Sequence, residues 1–308
     1  MKKENKNSKF LPGYTACAGC PIGIIARTVL NATDNPIVVT GATGCLEVTT
    51  TIYPHTSWNV PYIHSAFGNA GATISGIETA HKALAKKGKA KNKKKPKFVV
   101  FAGDGGTYDI GLQALSGALE RGHDFLFVCY DNGAYMNTGN QRSGATPLGA
   151  DTETTPFGKE SFGKKIRRKN IMEIVAGHNI PYLATANVGF LNDFENKVKK
   201  AFEIEGPKFL LVFSPCVNQW KFPSHRTINV AKLGTQTNFW PLYEVENGKY
   251  KINYFPEKKK KIEEFYSTQG RFRHLFQRKD KIEIFKKIQK EIDEEFEKIV
   301  SRSENQSL

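Results

Sequence analysis

Two sets of residues have the types and spacing to do chemistry. The first is Gly103-Asp104-Gly105-Gly106, followed after a helix-length interval by Asp131-Asn132-Gly133. A carboxylate and a side-chain amide oxygen are hard ligands suited to Mg²⁺, which takes few protein ligands and fills its shell with water and phosphate oxygens. The glycines let the backbone approach a phosphate, and a following helix N-terminus offers free N–H groups. The second set is five cysteines, Cys17, Cys20, Cys45, Cys129 and Cys216. Cys129 sits inside an apolar run and reads as a buried hydrophobe. The other four fall in loops or at element ends. Four thiolates hold zinc or a [4Fe–4S] cluster. One Cys-x-x-Cys followed by two widely separated single cysteines disfavours a zinc ribbon, which pairs two close knuckles. A redox pair at Cys17 and Cys20 leaves Cys45 and Cys216 unexplained.

Regular elements must carry these residues. Short β-rich runs alternate with helix-like stretches, the pattern of a parallel sheet in an α/β protein. The sequence predicts strands at 36–40, 98–102, 125–130, 182–184 and 209–213, with helices at 21–30, 68–85, 111–121, 171–178 and 191–205. Gly122, Gly177 and Gly206 are predicted helix stops. Asp104 and Asn132 then lie at the carboxyl ends of two strands, the edge where doubly wound sheets bind ligands. Beyond residue 217 an irregular stretch carries Trp220, Trp240 and Tyr243. The chain ends in an amphipathic helix with Ile282, Phe285, Ile288, Ile292, Phe296 and Ile299 at helical spacing, predicted to pack on this chain or on a partner subunit.

The motif resembles that of the thiamine-diphosphate enzymes. The wording of 103–111 and 131–141 is similar to the β subunits of the pyruvate:ferredoxin oxidoreductase family, and the likeness spans roughly residues 13–275. The resemblance implies a three-layer α/β/α fold with a mainly parallel sheet and a C-terminal extension ending in the amphipathic helix. It divides the chain into a basic tail (1–12), a thiamine-diphosphate domain with iron–sulfur ligands (13–230) and an arm (231–308). By position, it implies that Asp104, Asn132 and the Ala134 carbonyl bind Mg²⁺. Gly103, Gly105 and Gly106 line the diphosphate, and Asn137, Thr138 and His64 lie near the reacting centre. Cys17, Cys20, Cys45 and Cys216 hold a [4Fe–4S] cluster, with Cys45 bordering the thiamine cofactor as well. Pro21 departs from the family, where Gly is common; Pro is tolerated in a first helical turn, so altered packing is expected there and not loss of the cluster.

The implied activity is oxidative decarboxylation of pyruvate with coenzyme A to acetyl-CoA and CO₂, with electrons passed to ferredoxin. The same chemistry on 2-oxoisovalerate or 2-oxoglutarate is the alternative, and the segment 269–275 favours pyruvate. Family members need a glutamate opposite the aminopyrimidine. Only one α/β domain is visible here, so that residue is expected from a partner among α-, γ- and δ-type subunits. Glu47, near Cys45, reads as a structural carboxylate. A cluster-free thiamine-diphosphate lyase or decarboxylase is a further rival.

Composition weighs against another class. The 308 residues carry 45 Lys+Arg and 30 Asp+Glu, a net charge of +15 that points first to nucleic acid. Divided by segment, residues 1–10 hold +3, residues 86–97 hold +8 and residues 255–308 hold +3, leaving +1 for the rest. The lysine run contains no aromatic residue to stack a base, so it reads as a solvated loop and no nucleic-acid partner is expected. A second basic run, 164–169, is free to touch an anionic ligand. No apolar run nears the ~20 residues of a membrane span. The start lacks an apolar stretch behind its lysines, so a cytoplasmic protein is expected.

Overall fold

The computed structural model describes residues 8–90 and 94–305. Seven residues of the predicted basic tail and the middle of the lysine loop therefore lie outside the described residues. In chain order the elements are α1 (Ile22–Asn31), β1 (Ile37–Ala42), α2 (Cys45–Thr50), β2 (Tyr62–Ser65), α3 (Ala70–Lys86) and β3 (Lys97–Gly103). A π-helical turn, Gly105–Asp109, leads to α4 (Leu112–Glu120) and β4 (Leu126–Asp131). Then follow α5 (Ile171–Ala176), β5 (Tyr182–Asn187), α6 (Leu191–Glu203), β6 (Lys208–Phe213) and α7 (Val217–Trp220). The chain closes with α8 (Thr227–Gln236), β7 (Tyr243–Glu246), β8 (Lys249–Ile252), α9 (Ile262–Ser267), α10 (Arg273–Phe276) and α11 (Lys281–Glu304).

The strands form one sheet in the order β2-β1-β3-β4-β6-β5-β7-β8. The first six are parallel, and β7 and β8 add antiparallel to the β5 edge. All five predicted strands are present. They are buried on both faces, which is why they read as continuous apolar runs. Helices cover both sides. His81 of α3 meets the Phe98 ring at 5.5 Å, and Trp58 meets Phe101, on the opposite pleat, at 5.7 Å. The result is the expected α/β/α sandwich.

Several local expectations change. The sheet gains β2, β7 and β8, which the sequence reading missed. Helix α5 stops at Ala176, but Gly177 keeps helical backbone; Asn179, at φ 52°, takes the left-handed position instead. The predicted lysine loop is shorter, because Lys86 closes α3 and Lys97 opens β3. The 230/231 boundary falls inside α8. Helix α11 packs on its own chain, burying Ile284, Phe285, Ile288 and Ile299, while Ile282 is 63% exposed.

Candidate active site

Parallel register aligns the carboxyl ends of the central strands. Gly41 pairs with Phe101, Gly103 with Tyr130, and Asp131 with Phe213. The residues that leave those strands therefore emerge together: Cys45 after β1, Asp104 after β3, Asn132 after β4 and Cys216 after β6. The chain direction switches between β1 and β3, where β2 folds back to one side and β3 crosses to the other. That crevice is the general ligand position in doubly wound sheets.

Asp104 is fully buried at the start of the π-helical turn. Its Oδ2 accepts from Ser143 Oγ and its Oδ1 from the Asn132 N–H at 3.4 Å. The Asn132 side-chain amide lies 2.8 Å from the Ala134 carbonyl oxygen and 2.9 Å from Asp104 Oδ1. With its nitrogen turned inward, the amide donates to both. With its oxygen turned inward, three oxygens meet with no proton between them, the donor set of a hard divalent cation. Burial first, and then the nearby Asp131 charge, push the Asp104 carboxyl well above the ordinary carboxylate range. A bound cation would offset both effects.

The predicted glycines behave unequally. Thr107 and Tyr108 make the first hydrogen bonds of the turn, to the Asp104 carbonyl, which leaves the Gly105 and Gly106 amides ahead of them. A Cβ on Gly105 would lie 2.3 Å from the Tyr135 ring, and one on Gly106 3.2 Å from Phe67. Close packing against aromatic rings thus demands small residues here, in addition to any approach by a phosphate.

A layer of charge braces these loops, and the sequence reading gave it no role. Asp131, buried, accepts from Tyr108 Oη at 2.6 Å, Arg168 at 2.6 Å and the Gly133 N–H at 3.0 Å. Asp109 accepts from Tyr135 Oη at 3.0 Å and the Gly144 N–H at 2.8 Å, and pairs with Lys169 at 3.3 Å. Lys164 is buried and donates to the carbonyls of Gly144 and Thr146; burial pulls its ammonium down to about 7. Within the 164–169 run Lys164, Arg168 and Lys169 therefore form an internal brace, while Lys165, Ile166 and Arg167 are exposed. The available signal was the pair of extra acids, Asp109 and Asp131, beside the motif, since buried carboxylates need cations. Thr146 Oγ1 donates to the Gly133 carbonyl at 2.7 Å and completes the frame.

The four predicted cysteine ligands gather on the same edge. Cys20 precedes α1, whose N-cap is Pro21; Cys45 opens α2; Cys216 is the N-cap of α7. Helix N-termini favour thiolate charge. Cys17 and Cys20 form one turn, with the Cys20 N–H donating to the Cys17 carbonyl at 2.9 Å. Cys17, Cys45 and Cys216 disfavour ionisation of Cys20, and Cys17 and Cys216 that of Cys45, so the four are electrostatic neighbours. Burial, the larger effect, raises Cys20 and Cys45 to about 12 and also raises Cys216. Among the described residues no three His, Cys, Asp or Glu side chains are arranged to hold a single metal ion. Cys129, fully buried in β4, stands apart.

The C-terminal segments lock the two halves together. Trp220 Nε1 donates to the Asn132 carbonyl at 2.8 Å, and Arg271 stacks on Trp220 at 3.8 Å. Thr227 Oγ1 donates to the Gly19 carbonyl at 2.7 Å, pinning the Cys17–Cys20 turn. The remaining predicted residues lie further out. His64, 49% exposed on β2, reaches Thr43 Oγ1 at 2.8 Å and Glu47 at 3.8 Å. Asn137 and Thr138 occupy an exposed turn, where Thr138 bonds Gln141 at 2.5 Å.

Comparison with known proteins agrees with this geometry. Residues 42–212 match the family model for the thiamine pyrophosphate enzyme C-terminal TPP-binding domain. Pyruvate synthase subunit PorB of Thermotoga maritima is 50% identical over 98% of this chain and 94% of its own length. Ketoisovalerate oxidoreductase subunit VorB of Pyrococcus abyssi is 47% identical over 96% and 93%. The solved 2-oxoglutarate:ferredoxin oxidoreductase of Magnetococcus marinus superposes with a TM-score of 0.57 at 24% identity, covering 70% of this chain and 69% of that one, which supports the fold. The chain belongs to the PorB family of thiamine-diphosphate-binding subunits of the 2-oxoacid:ferredoxin oxidoreductases.

Proposed function

We propose that this chain is the β-type catalytic subunit of a pyruvate:ferredoxin oxidoreductase. The overall reaction joins pyruvate and coenzyme A to give acetyl-CoA, CO₂ and a proton, with one electron passed to each of two ferredoxins. The observation that carries the reading is the meeting of the Asp104 carboxylate, the Asn132 side-chain amide and the Ala134 carbonyl on the same sheet edge as four neighbouring thiols. Thiamine diphosphate, when bound, supplies the nucleophilic carbon and the electron sink for decarboxylation.

The chain's own residues bind and orient. Asp104, Asn132 and the Ala134 carbonyl hold Mg²⁺, and Gly103, Gly105 and Gly106 face the diphosphate. Cys17, Cys20, Cys45 and Cys216 hold the [4Fe–4S] cluster. Asn137, Thr138 and His64 border the site on its open side, where a partner subunit supplies the glutamate. Residues 13–230 carry the cofactors and 231–308 form the arm that braces them. We assign the complex to the cytoplasm, with α-, γ- and δ-type subunits and ferredoxin as partners; among the described residues no helix is long and apolar enough to cross a membrane.

The test is anaerobic purification of the assembled enzyme, assaying thiamine diphosphate, Mg²⁺ and iron together. Asp104→Ala is expected to abolish thiamine-diphosphate binding and leave iron unchanged; unchanged cofactor affinity would refute the metal assignment. The VorB relative supports a second reading, with 2-oxoisovalerate as substrate. Comparing kcat/KM for the two acids decides between them.

A further inference from the structure

Two tyrosine rings and two glycines occupy one face of the sheet beneath the cysteine loop. Gly41 of β1 and Gly103 of β3 leave that face bare, and tyrosines fill the space. The Tyr62 hydroxyl lies against Gly41, where a Cβ would come within 1.9 Å of it. The Tyr130 ring lies against Gly103, 3.3 Å from the position of a Cβ there. The Tyr130 hydroxyl reaches the turn before α2, 2.9 Å from where a Cβ on Gly44 would stand. Tyr130 thus touches both loops of the site: Gly103, which precedes Asp104, and Gly44, which precedes Cys45.

Tyr130 is 2% exposed, and its Oη is buried without a hydrogen-bond partner. An unmade buried hydrogen bond costs about 1–3 kcal/mol, so an orphaned hydroxyl marks a missing acceptor. The Leu46 N–H faces this oxygen as a backbone donor, but an N–H can use only its lone pairs. The phenolic proton still lacks an acceptor. After burial, Cys45 is the strongest influence on Tyr130. Tyr62 Oη is orphaned too, yet its charged neighbour is Glu47 and no cysteine acts on it. Tyr62 Oη lies against Gly41, whereas Tyr130 Oη reaches Gly44, the residue before Cys45, so Tyr130 is the tyrosine beside the loop of the cluster ligand.

We propose that Tyr130 donates a hydrogen bond to a sulfur of the [4Fe–4S] cluster at Cys45, stabilising the reduced cluster and raising its reduction potential. This inference rests on the cluster assignment above. Hydrogen bonds to the sulfurs are a principal determinant of iron–sulfur potentials, because they offset the negative charge added on reduction. Tyr130 sits one residue before Asp131 and packs on Gly103, so the same side chain fixes the spacing between the diphosphate loop and the cluster. No atom is transferred: the phenol keeps its proton in both oxidation states.

The experiment uses the assembled enzyme, anaerobically purified as wild type, Tyr130→Phe and Cys45→Ala. Potentiometric titration followed by EPR reads each cluster, and the clusters on other subunits serve as internal references. Tyr130→Phe removes one oxygen and keeps the ring. Iron content should be retained, and one component alone should become about tenfold harder to reduce, which is 59 mV for a one-electron couple. An independent reading in the wild type is an exchangeable proton coupled to the reduced cluster by ENDOR, lost in D₂O and absent from Tyr130→Phe. Unchanged potentials with full iron, or no such proton in the wild type, would overturn the proposal. If Cys45→Ala lost no iron, the cluster assignment itself would fall, an outcome distinct from the failure of Tyr130.

Discussion

Asp131 decides how firmly the metal loop is held. Its carboxylate gathers Tyr108, Arg168 and the Gly133 N–H, while Arg168 also covers Trp240 at 5.1 Å. Removing one partner of a buried ion pair strands the other, at a cost of about 3–5 kcal/mol. Arg168 keeps 25% side-chain exposure, so Asp131→Ala is expected near the low end, about 3 kcal/mol by urea denaturation. Asp131→Asn retains hydrogen-bonding atoms and should lose less. Both should weaken thiamine-diphosphate binding without removing iron. Equal losses for Ala and Asn would show that charge is the whole effect. Lys164 makes a pH-dependent contribution at the same scale. Its ammonium is pulled down to about 7 by burial, against 10.5 when unfolded. Between those values the unfolded chain binds more protons, so this group makes stability rise with pH, by at most about 1.4 kcal/mol per unit. Below about 7 both states are protonated and the contribution is flat. Lys164→Met should remove that rise from a pH series of denaturation midpoints; an unaltered slope would show that Lys164 stays charged throughout.

Elements were legible in proportion to their burial. The strands β1, β3, β4, β5 and β6 are almost wholly buried and gave unbroken apolar runs. Edge strand β2, Tyr-Ile-His-Ser with two exposed residues, has no such run and stayed hidden. The β7–β8 hairpin reads as charged sequence, but it carried a usable signal: Asn247 and Gly248, at φ 49° and 79°, form the Asn-Gly turn that favours tight hairpins. At the site, ligand candidates were legible because their chemistry is rare, whereas the brace that joins Asp109 and Asp131 to Tyr108, Tyr135, Arg168 and Lys169 was not, since pairing across 23 to 60 residues leaves no local pattern. Helix α11 shows the limit of spacing alone. Ile282 is three residues from Phe285, yet at 100° per residue it points about a quarter turn off the centre of the buried stripe. Phe285 meets Phe276 at 4.9 Å and Tyr266 at 6.2 Å. Phe285→Ala should therefore cost about 3 kcal/mol or more, and Ile282→Ala almost nothing. Equal thermal shifts for the two would mean that α11 does not pack on this chain in solution.

The whole molecule leaves its site edge incomplete. In sequence the excess charge falls in the tail, the lysine loop and the arm, while the segments beside the cofactor loops expose apolar side chains. Val48, Ile52 and Ile63 are exposed, and Tyr53 is 93% exposed, in or next to the segments that carry Cys45 and His64. Monomeric soluble proteins seldom expose several large apolar groups together, and such patches mark interfaces. Interface cores are depleted of charge, and Lys is disfavoured there. On the proposed function, the subunit that would supply the glutamate approaches this same edge, where the loops that carry Asp104 and Cys45 leave β3 and β1. The double substitution Ile52→Lys and Ile63→Lys places two charges on the patch without touching a buried side chain. Its circular dichroism and melting temperature should match wild type, since surface changes away from packing contacts stay within about 0.5 kcal/mol. Co-expressed with the other subunits, it should elute free of them on size exclusion. Stoichiometric co-elution of the double variant would place the subunit interface elsewhere, and the glutamate would then have to arrive over the turn that carries Asn137 and Thr138.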